Sequence, residues 1–358
     1  MPDKYRILVV NPRTSFTKIA VFDNYELLFL NKVNHSYEEL NQFDDILDQH
    51  EYRKNIVLKE LKEADINPSS LNAVVGRGGL IKPVKSGVFE INEAIIRDLK
   101  NSPVGIDSVN LGGLIADDIA KSLKIKAYTC DPVVVDELED IARITGHPEF
   151  EKKSIFHALN QKAVAKRYAK SMNKAYEDVN LIVAHMGIGI SIGAHKKGKV
   201  VDCNQVFDGE GPFSAKRSGT LPIGDVVRMC YSGKFTREQM LKQITGQGGM
   251  MAYFGTDDMK KIEERALNGE TEVKLIYDAM AYQVAKYIGM LFPVLHGQVD
   301  AVILTGGIAN SAYFTNLIIE RLNQMAPVHV YPGGDEMEAL AFNVVAALNG
   351  EIEVLEYR

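Results

Sequence analysis

The sequence predicts an α/β protein built from two similar domains facing one another, with a ligand in the cleft between them. Three observations carry this. A strand, turn, strand, turn, strand pattern opens the chain at 6–33 and returns at 181–205. The apolar run "NAVVGRGG" at 72–79, a strand ending on glycines, is echoed by "DAVILTGGIANS" at 300–311. A length of 358 residues also favours two domains over one. Interdomain clefts are a usual place for ligands.

The elements follow in order. "RILVV", "KIAVF" and "LLFLNKV" read as the three strands of a meander, the second turn falling on Asp23-Asn24. A helical pattern runs from Tyr37 to Ala64 and is closed by Asn67-Pro68. Helical spacing returns over 91–101 and 108–123, the latter opened by Ser108 as a cap. "AYTCDP" is a strand that stops on Asp131-Pro132, and a helix is expected from Ser154 to Ser171. After the second meander a long helical stretch covers 270–296. The closing helix, 335–349, is capped by Asp335 and carries Leu340, Val344 and Leu348 at four-residue spacing. This order places domain boundaries at 1–133 plus 337–358, and at 134–336.

Composition excludes several classes. The chain is 46% apolar and 25% charged, with a formal net charge of −6, which opposes a nucleic-acid footprint. Cys130, Cys203 and Cys230 form no paired motif, as expected of free thiols in a reducing cytoplasm. The first apolar run is too short for a signal peptide, and no run approaches the roughly 18 residues of a membrane span. There is no Walker A sequence, no G-x-G-x-x-G fingerprint and no H-E-x-x-H.

The loops carry the chemistry. "HMGIGIS" at 185–191 puts Gly187 and Gly189 where backbone N–H groups can approach an anion, and "TGGIANS" puts Gly306, Gly307 and Ile308 between a strand and a helix. Taken singly, each is equally a tight turn. The first hairpin, "NPRTSFTK" at 11–18, holds Asn11, Thr14, Ser15, Thr17 and Lys18 with no glycine. Its hydroxyls and lysine suit either a phosphate or simple turn capping.

"VVNPRTSFTKIAVF", "VVGRGGLIKPV", "KSIFHALNQKAVAKRYA", "DGEGPFSAKRSGTLPIGD" and "YPGGDEMEALA" together resemble the butyrate kinases. Those belong to the acetate kinase group, in the superfamily of sugar kinases, heat-shock chaperones and actin. The resemblance is nearly continuous from residue 6 to about 347. It implies two duplicated actin-like (ribonuclease H-like) domains with an interdomain ATP cleft, Mg²⁺, and reversible phosphorylation of a short-chain carboxylate. It also implies a homodimer or larger assembly. Acetate or propionate kinase activity, a sugar kinase, and an ATP-binding regulatory module on the same fold are the rival readings.

The same resemblance assigns roles. Asn11 and Glu336 place Mg²⁺ and the terminal phosphate, Asp131 lies near the reacting centre, and His157 and His185 reach the transferring phosphoryl group. Arg77 and Arg217 clamp carboxylate or phosphate oxygens, or else form salt bridges. Asp208 joins the nucleotide contacts, and Phe156 and Phe213 line the acyl pocket; His195 reads as structural. Three positions depart from the family, one of them Ile188 in the second glycine loop, where a third glycine is common. Arg13 stands where butyrate kinases usually have glycine, and Phe16 where they have a hydroxyl. The arginine either supplies charge in place of open backbone or obstructs the loop.

Overall fold

The computed structural model describes residues 4–102, 104–334 and 336–358. The chain divides into two compact units, Met1–Asp136 with Asp335–Arg358, and Glu137–Gly334.

The first unit begins with β1 (Arg6–Pro12), β2 (Phe16–Asp23) and β3 (Glu26–Asn34). It continues through α1 (Tyr37–Leu40), α2 (Gln49–Glu63), β4 (Ala73–Gly76), β5 (Val88–Glu90), α3 (Glu93–Lys100), α4 (Asn110–Leu123) and β6 (Lys126–Cys130). The second unit holds α5 (Asp140–Arg143), α6 (Ala158–Ser171), β7 (Asn180–Met186), β8 (Ile190–Lys196) and β9 (Lys199–Cys203). Then come α7 (Ile223–Cys230), α8 (Arg237–Thr245), α9 (Met250–Phe254), α10 (Met259–Leu267), α11 (Thr271–Met290), β10 (Ala301–Gly306), α12 (Ala312–Leu322) and β11 (Val328–Pro332). The chain returns to the first unit with α13 (Glu336–Leu348) and β12 (Val354–Leu355).

The first sheet runs β12-β5-β6-β4-β1-β2-β3 and the second β11-β10-β7-β8-β9. In the first, β1 pairs antiparallel with β2 and parallel with β4, and β4 pairs parallel with β6. In the second, β7 pairs antiparallel with β8 and parallel with β10, and β10 pairs parallel with β11. Five strands thus repeat in the same order and sense, and the two glycine-ended strands, β4 and β10, hold matching places. The central strands explain themselves chemically. Ile7-Leu8-Val9-Val10 and Leu181-Ile182-Val183-Ala184 are wholly buried, as strands covered on both faces require. In the second unit Ile182 and Ala184 join the core beneath α11 and α12, while Leu181 and Val183 pack with Val164 and Tyr168 of α6.

Three sequence expectations need correction. The helix expected over 37–64 breaks into α1 and α2. Between them the Asp45 carboxylate takes the Leu47 N–H at 3.0 Å and Asp48 takes that of Asp45 at 3.1 Å, local bonds that replace helical ones. Ser108 does not cap α4. Val109 is at the cap position and its N–H goes to Asp107 Oδ1 at 3.1 Å. The helix expected from Ser154 starts only at Ala158, because the Ile155 carbonyl accepts the Val206 N–H at 2.9 Å and pins that stretch outside the helix. His157 is therefore the cap residue of α6, not a first-turn residue. Asp335, the expected cap of α13, lies outside the described residues.

Candidate active site

The first unit gathers its candidate residues at the ends of β1 and β4 and the start of α13. Asn11, Arg77 and Glu336 are 0%, 4% and 6% exposed. Asn11 Nδ2 donates to Glu336 Oε2 at 2.6 Å, Arg13 Nη2 donates to Oε1 at 2.5 Å, and Arg77 Nη1 lies 3.3 Å from Oε2. Burial pulls the Arg77 guanidinium down to about 10, with Arg13 acting in the same direction and Glu336 against it. The Glu336 carboxylate thus faces two guanidiniums, with Asp107 also favouring the charged form of Arg77. Asn11 Oδ1 is buried with no hydrogen-bond partner among the described residues. A bare amide oxygen beside a carboxylate is the donor set a small hard cation takes. The residues fit Mg²⁺, with Arg13 as the charge it must share Glu336 with.

The hairpin itself is narrower than the sequence suggests. Strand pairing runs as far as Pro12 opposite Thr17, and the Arg13 N–H closes the tip on the Phe16 carbonyl at 2.7 Å. Asn11 and Lys18 are thus paired strand residues on one face. Only Thr14 and Ser15 are exposed at the tip. Thr17 has a different task from the one expected of it. Its hydroxyl is buried, 2.8 Å from His35 Nε2 and 3.0 Å from Arg53 Nη1, and is spent inside the unit. Arg13 does not adopt a positive φ, so no left-handed strain attends the replacement of glycine. Phe16 is half-buried and carries Lys32 over its ring at 4.4 Å.

Arg53, on α2, explains how a hairpin without glycine holds its shape. It is 0% exposed. Nη1 donates to the carbonyls of Arg13 at 2.9 Å and Phe16 at 3.2 Å, and Nη2 to that of Thr14 at 3.1 Å. Gln49 Oε1 accepts from Nε and Nη2 at 3.0 and 2.8 Å. No carboxylate lies within ion-pair distance of it among the described residues. Burial lowers its pKa to about 10, and it stays charged beneath the hairpin tip. Sequence reasoning missed this residue, though Gln49, Arg53, Val57 and Leu61 form the buried face of α2 at four-residue spacing.

Asp131 sits apart from the Glu336 cluster in its bonding. Its Oδ1 accepts from Ser86 Oγ at 2.6 Å and Gly87 N at 2.9 Å, and its φ of 38° is one that side chains rarely adopt. Such strain is held in place by those bonds and is common at functional positions.

In the second unit the His157 and His185 rings lie 4.3 Å apart, centroid to centroid, at 31°. His185 ends β7 before the turn Gly187-Ile188-Gly189. A Cβ at Gly189 would fall 2.5 Å from Arg217 Nη1, so the arginine would have to shift; its guanidinium lies across the turn and donates to the Val206 carbonyl at 2.5 Å. Phe156 is buried, and so is Phe213, with its ring 6.4 Å from Tyr253. Asp208 is exposed and bonded to the Gln205 side chain at 2.7 Å. Gly306 adopts φ 94° against the Met186 backbone, Gly307 is exposed and Ile308 is buried. A 3-10 turn at Gly307–Asn310 separates this strand end from α12, which Ser311 caps. His195 is wholly buried, and burial with nearby Lys162 holds its pKa well below the usual imidazole range.

Each unit thus gathers cationic and neutral donor groups of its own, and the first adds a metal-suited oxygen pair, a chemistry that suits anionic ligands. No helix among the described residues is long and apolar enough to cross a membrane.

The profile of the family described as "Acetokinase family" matches residues 151–333. Butyrate kinase 2 of Clostridium acetobutylicum is 50% identical over 355 residues, covering 99% of this chain and 100% of the relative. Butyrate kinase 1 of the same organism is 51% identical over 354 residues, with coverage of 99% and 100%. Among solved structures, acetate kinase from Porphyromonas gingivalis is similar in fold at a TM-score of 0.78 and 18% identity, covering 96% of this chain and 100% of that one.

Proposed function

The chain belongs to the butyrate kinases of the acetokinase family, and from that premise we propose that it transfers the γ-phosphoryl group of ATP to butyrate, giving butyryl phosphate and ADP. The acceptor carboxylate is ionised at neutral pH, so no general base is required. What remains is positioning and the neutralisation of charge spread over the transferring group.

The observation that carries the reading is the buried cluster around Glu336. Asn11 and Glu336 would hold Mg²⁺, which would supply positive charge against the phosphates. Arg77 lies against the Glu336 carboxylate and adds a buried positive charge. Thr14, Ser15 and Lys18 give hydroxyl and ammonium contacts to the phosphates, from a hairpin that Arg53 fixes from below. His157 and His185 donate to the phosphoryl group as it moves, and Arg217 clamps oxygens beside the Gly187–Gly189 turn. Gly306, Gly307, Ile308 and Asp208 contact the nucleotide, Phe156 and Phe213 set the length of acid accepted, and Asp131 lies near the reacting centre. The relaxed backbone of Arg13 supports a working loop over a regulatory module with a degraded one.

The enzyme works in the cytoplasm, a reading supported by three cysteines that form no disulfide. It works as a homodimer or larger, supported by the exposed apolar row of Ile223 and Val227 on α7 and Tyr231 at its C-cap. Replacing His157 by alanine tests the chemistry. The expected result is a kcat lower by roughly tenfold to a thousandfold with KM for ATP little changed. An unchanged kcat with a lowered melting temperature makes His157 a structural residue.

A further inference from the structure

A chain of buried side chains leads away from His157. Ser191 Oγ lies 2.8 Å from His157 Nδ1. Gln161 Nε2 lies 2.9 Å from that same Oγ and 3.0 Å from the Ser191 carbonyl. Gln161 Oε1 lies 3.0 Å from His195 Nε2, and His195 Nδ1 lies 2.6 Å from the Tyr176 hydroxyl. Ser191, Gln161 and His195 are each 0% exposed.

Every proton in this chain can be assigned from one fixed point. A backbone carbonyl only accepts, so the Gln161 group facing the Ser191 carbonyl is the NH₂, and its amide has one orientation. Gln161 Oε1 then faces His195, whose Nε2 must carry a hydrogen. Buried and neutral, His195 accepts the Tyr176 O–H at Nδ1. On the other side, Ser191 Oγ receives two obligate donors, Gln161 Nε2 and the His157 backbone N–H at 3.2 Å. Its single hydrogen is left to point at His157 Nδ1. That nitrogen is an acceptor, and the neutral His157 ring carries its proton on Nε2.

Gly193 shows that the fold makes room for this chain. A Cβ there would fall 2.5 Å from Gln161 Oε1 and 3.5 Å from His195 Nε2. The neighbouring His185 ring has Asn160 Nδ2 3.4 Å from its Nδ1.

We propose that Ser191, Gln161, His195 and Tyr176 are positioning residues that lock His157 in the Nε2–H tautomer, so that Nε2 presents a hydrogen-bond donor to the transferring phosphoryl group. The proposal rests on the phosphoryl-transfer reading above for the purpose of the tautomer, but not for its existence. His195 thus belongs to the site's supporting shell and is more than packing.

The test is nitrogen NMR of the full chain labelled with ¹⁵N-histidine, at a pH where the His157 ring is neutral, its signals assigned by their loss in His157→Gln. The expected spectrum shows His157 with a protonated Nε2 and a bare Nδ1. Ser191→Ala should mix the tautomers and lower kcat by roughly tenfold to a hundredfold, the usual cost of losing an orienting hydrogen bond, with KM for ATP unchanged. Ser191→Thr, which keeps the hydroxyl, should restore both. A protonated Nδ1 in the unmodified protein overturns the proposal by itself, even if a variant fails to fold. An unchanged tautomer in Ser191→Ala overturns it too. A locked tautomer combined with full activity of His157→Ala would instead leave the relay standing and refute the phosphoryl-transfer role of His157.

Discussion

Replacing Arg53 by methionine keeps most of the buried stem and removes the guanidinium that holds the first hairpin. The Arg13 and Thr14 carbonyls lose the side-chain donor they have. The Phe16 carbonyl keeps the Arg13 N–H at 2.7 Å. Gln49 Oε1 also loses both its donors on α2, but stranding the two partly buried acceptors of the hairpin, at about 1–1.5 kcal/mol each, costs the tip about 2–3 kcal/mol. Relief of the buried charge offsets some of this, since burial already lowers the Arg53 pKa to about 10. If nucleotide binding had to restore the tip in full, affinity would fall by roughly 30- to 150-fold. Because the Arg13–Phe16 bond survives and Thr14 is an exposed residue, we expect about a tenfold rise in KM for ATP. Arg53→Lys, with the charge but not the fork, should fall between. Steady-state kinetics at saturating butyrate, with hydrogen exchange of the hairpin amides, reads both effects. Unchanged KM and unchanged exchange in Arg53→Met would refute the clamp.

Two further outcomes follow from the same unit. Arg13→Gly releases Glu336 Oε1 from a half-buried ion pair worth about 1 kcal/mol, so the Mg²⁺ concentration giving half-maximal rate should drop roughly fivefold. A higher Mg²⁺ requirement with weaker ATP binding would mean that Arg13 serves the phosphates directly. Burial and Arg53 lower the His35 pKa from 6.5 to about 4. The unfolded chain therefore binds a proton there that the folded chain refuses, and stability present above pH 6.5 is lost as pH falls through about 4. His35→Gln should flatten that part of a melting-temperature profile, and an unaltered slope would contradict it.

The duplicated sheet was legible in the sequence because β1 and β7 are continuous apolar runs and both meanders turn sharply. The glycine-ended strands β4 and β10 were equally visible. Helix starts were less so: the N–H groups of the cap residues His157 and Val109 bond to Ser191 and Asp107, one of them distant in sequence. Thr17 looked like a ligand group because a strand's facing is invisible until its register is known. Register turns it inward to Arg53 while Asn11 faces Lys18. The Arg13–Glu336 pair, spanning 323 positions, has no local signature at all. Ser191, Gln161 and Gly193 sit in ordinary strand and helix patterns, and only their hydrogen bonds single them out.

The most direct test of the account is to trap the product with hydroxylamine, supplying ATP, Mg²⁺ and unbranched acids from two to six carbons. Acyl hydroxamate should form fastest, by kcat/KM, from butyrate, and ADP should appear in equal amount. Preference for acetate or propionate would move the chain to those kinases, and no hydroxamate from any acid would contradict carboxylate phosphorylation altogether.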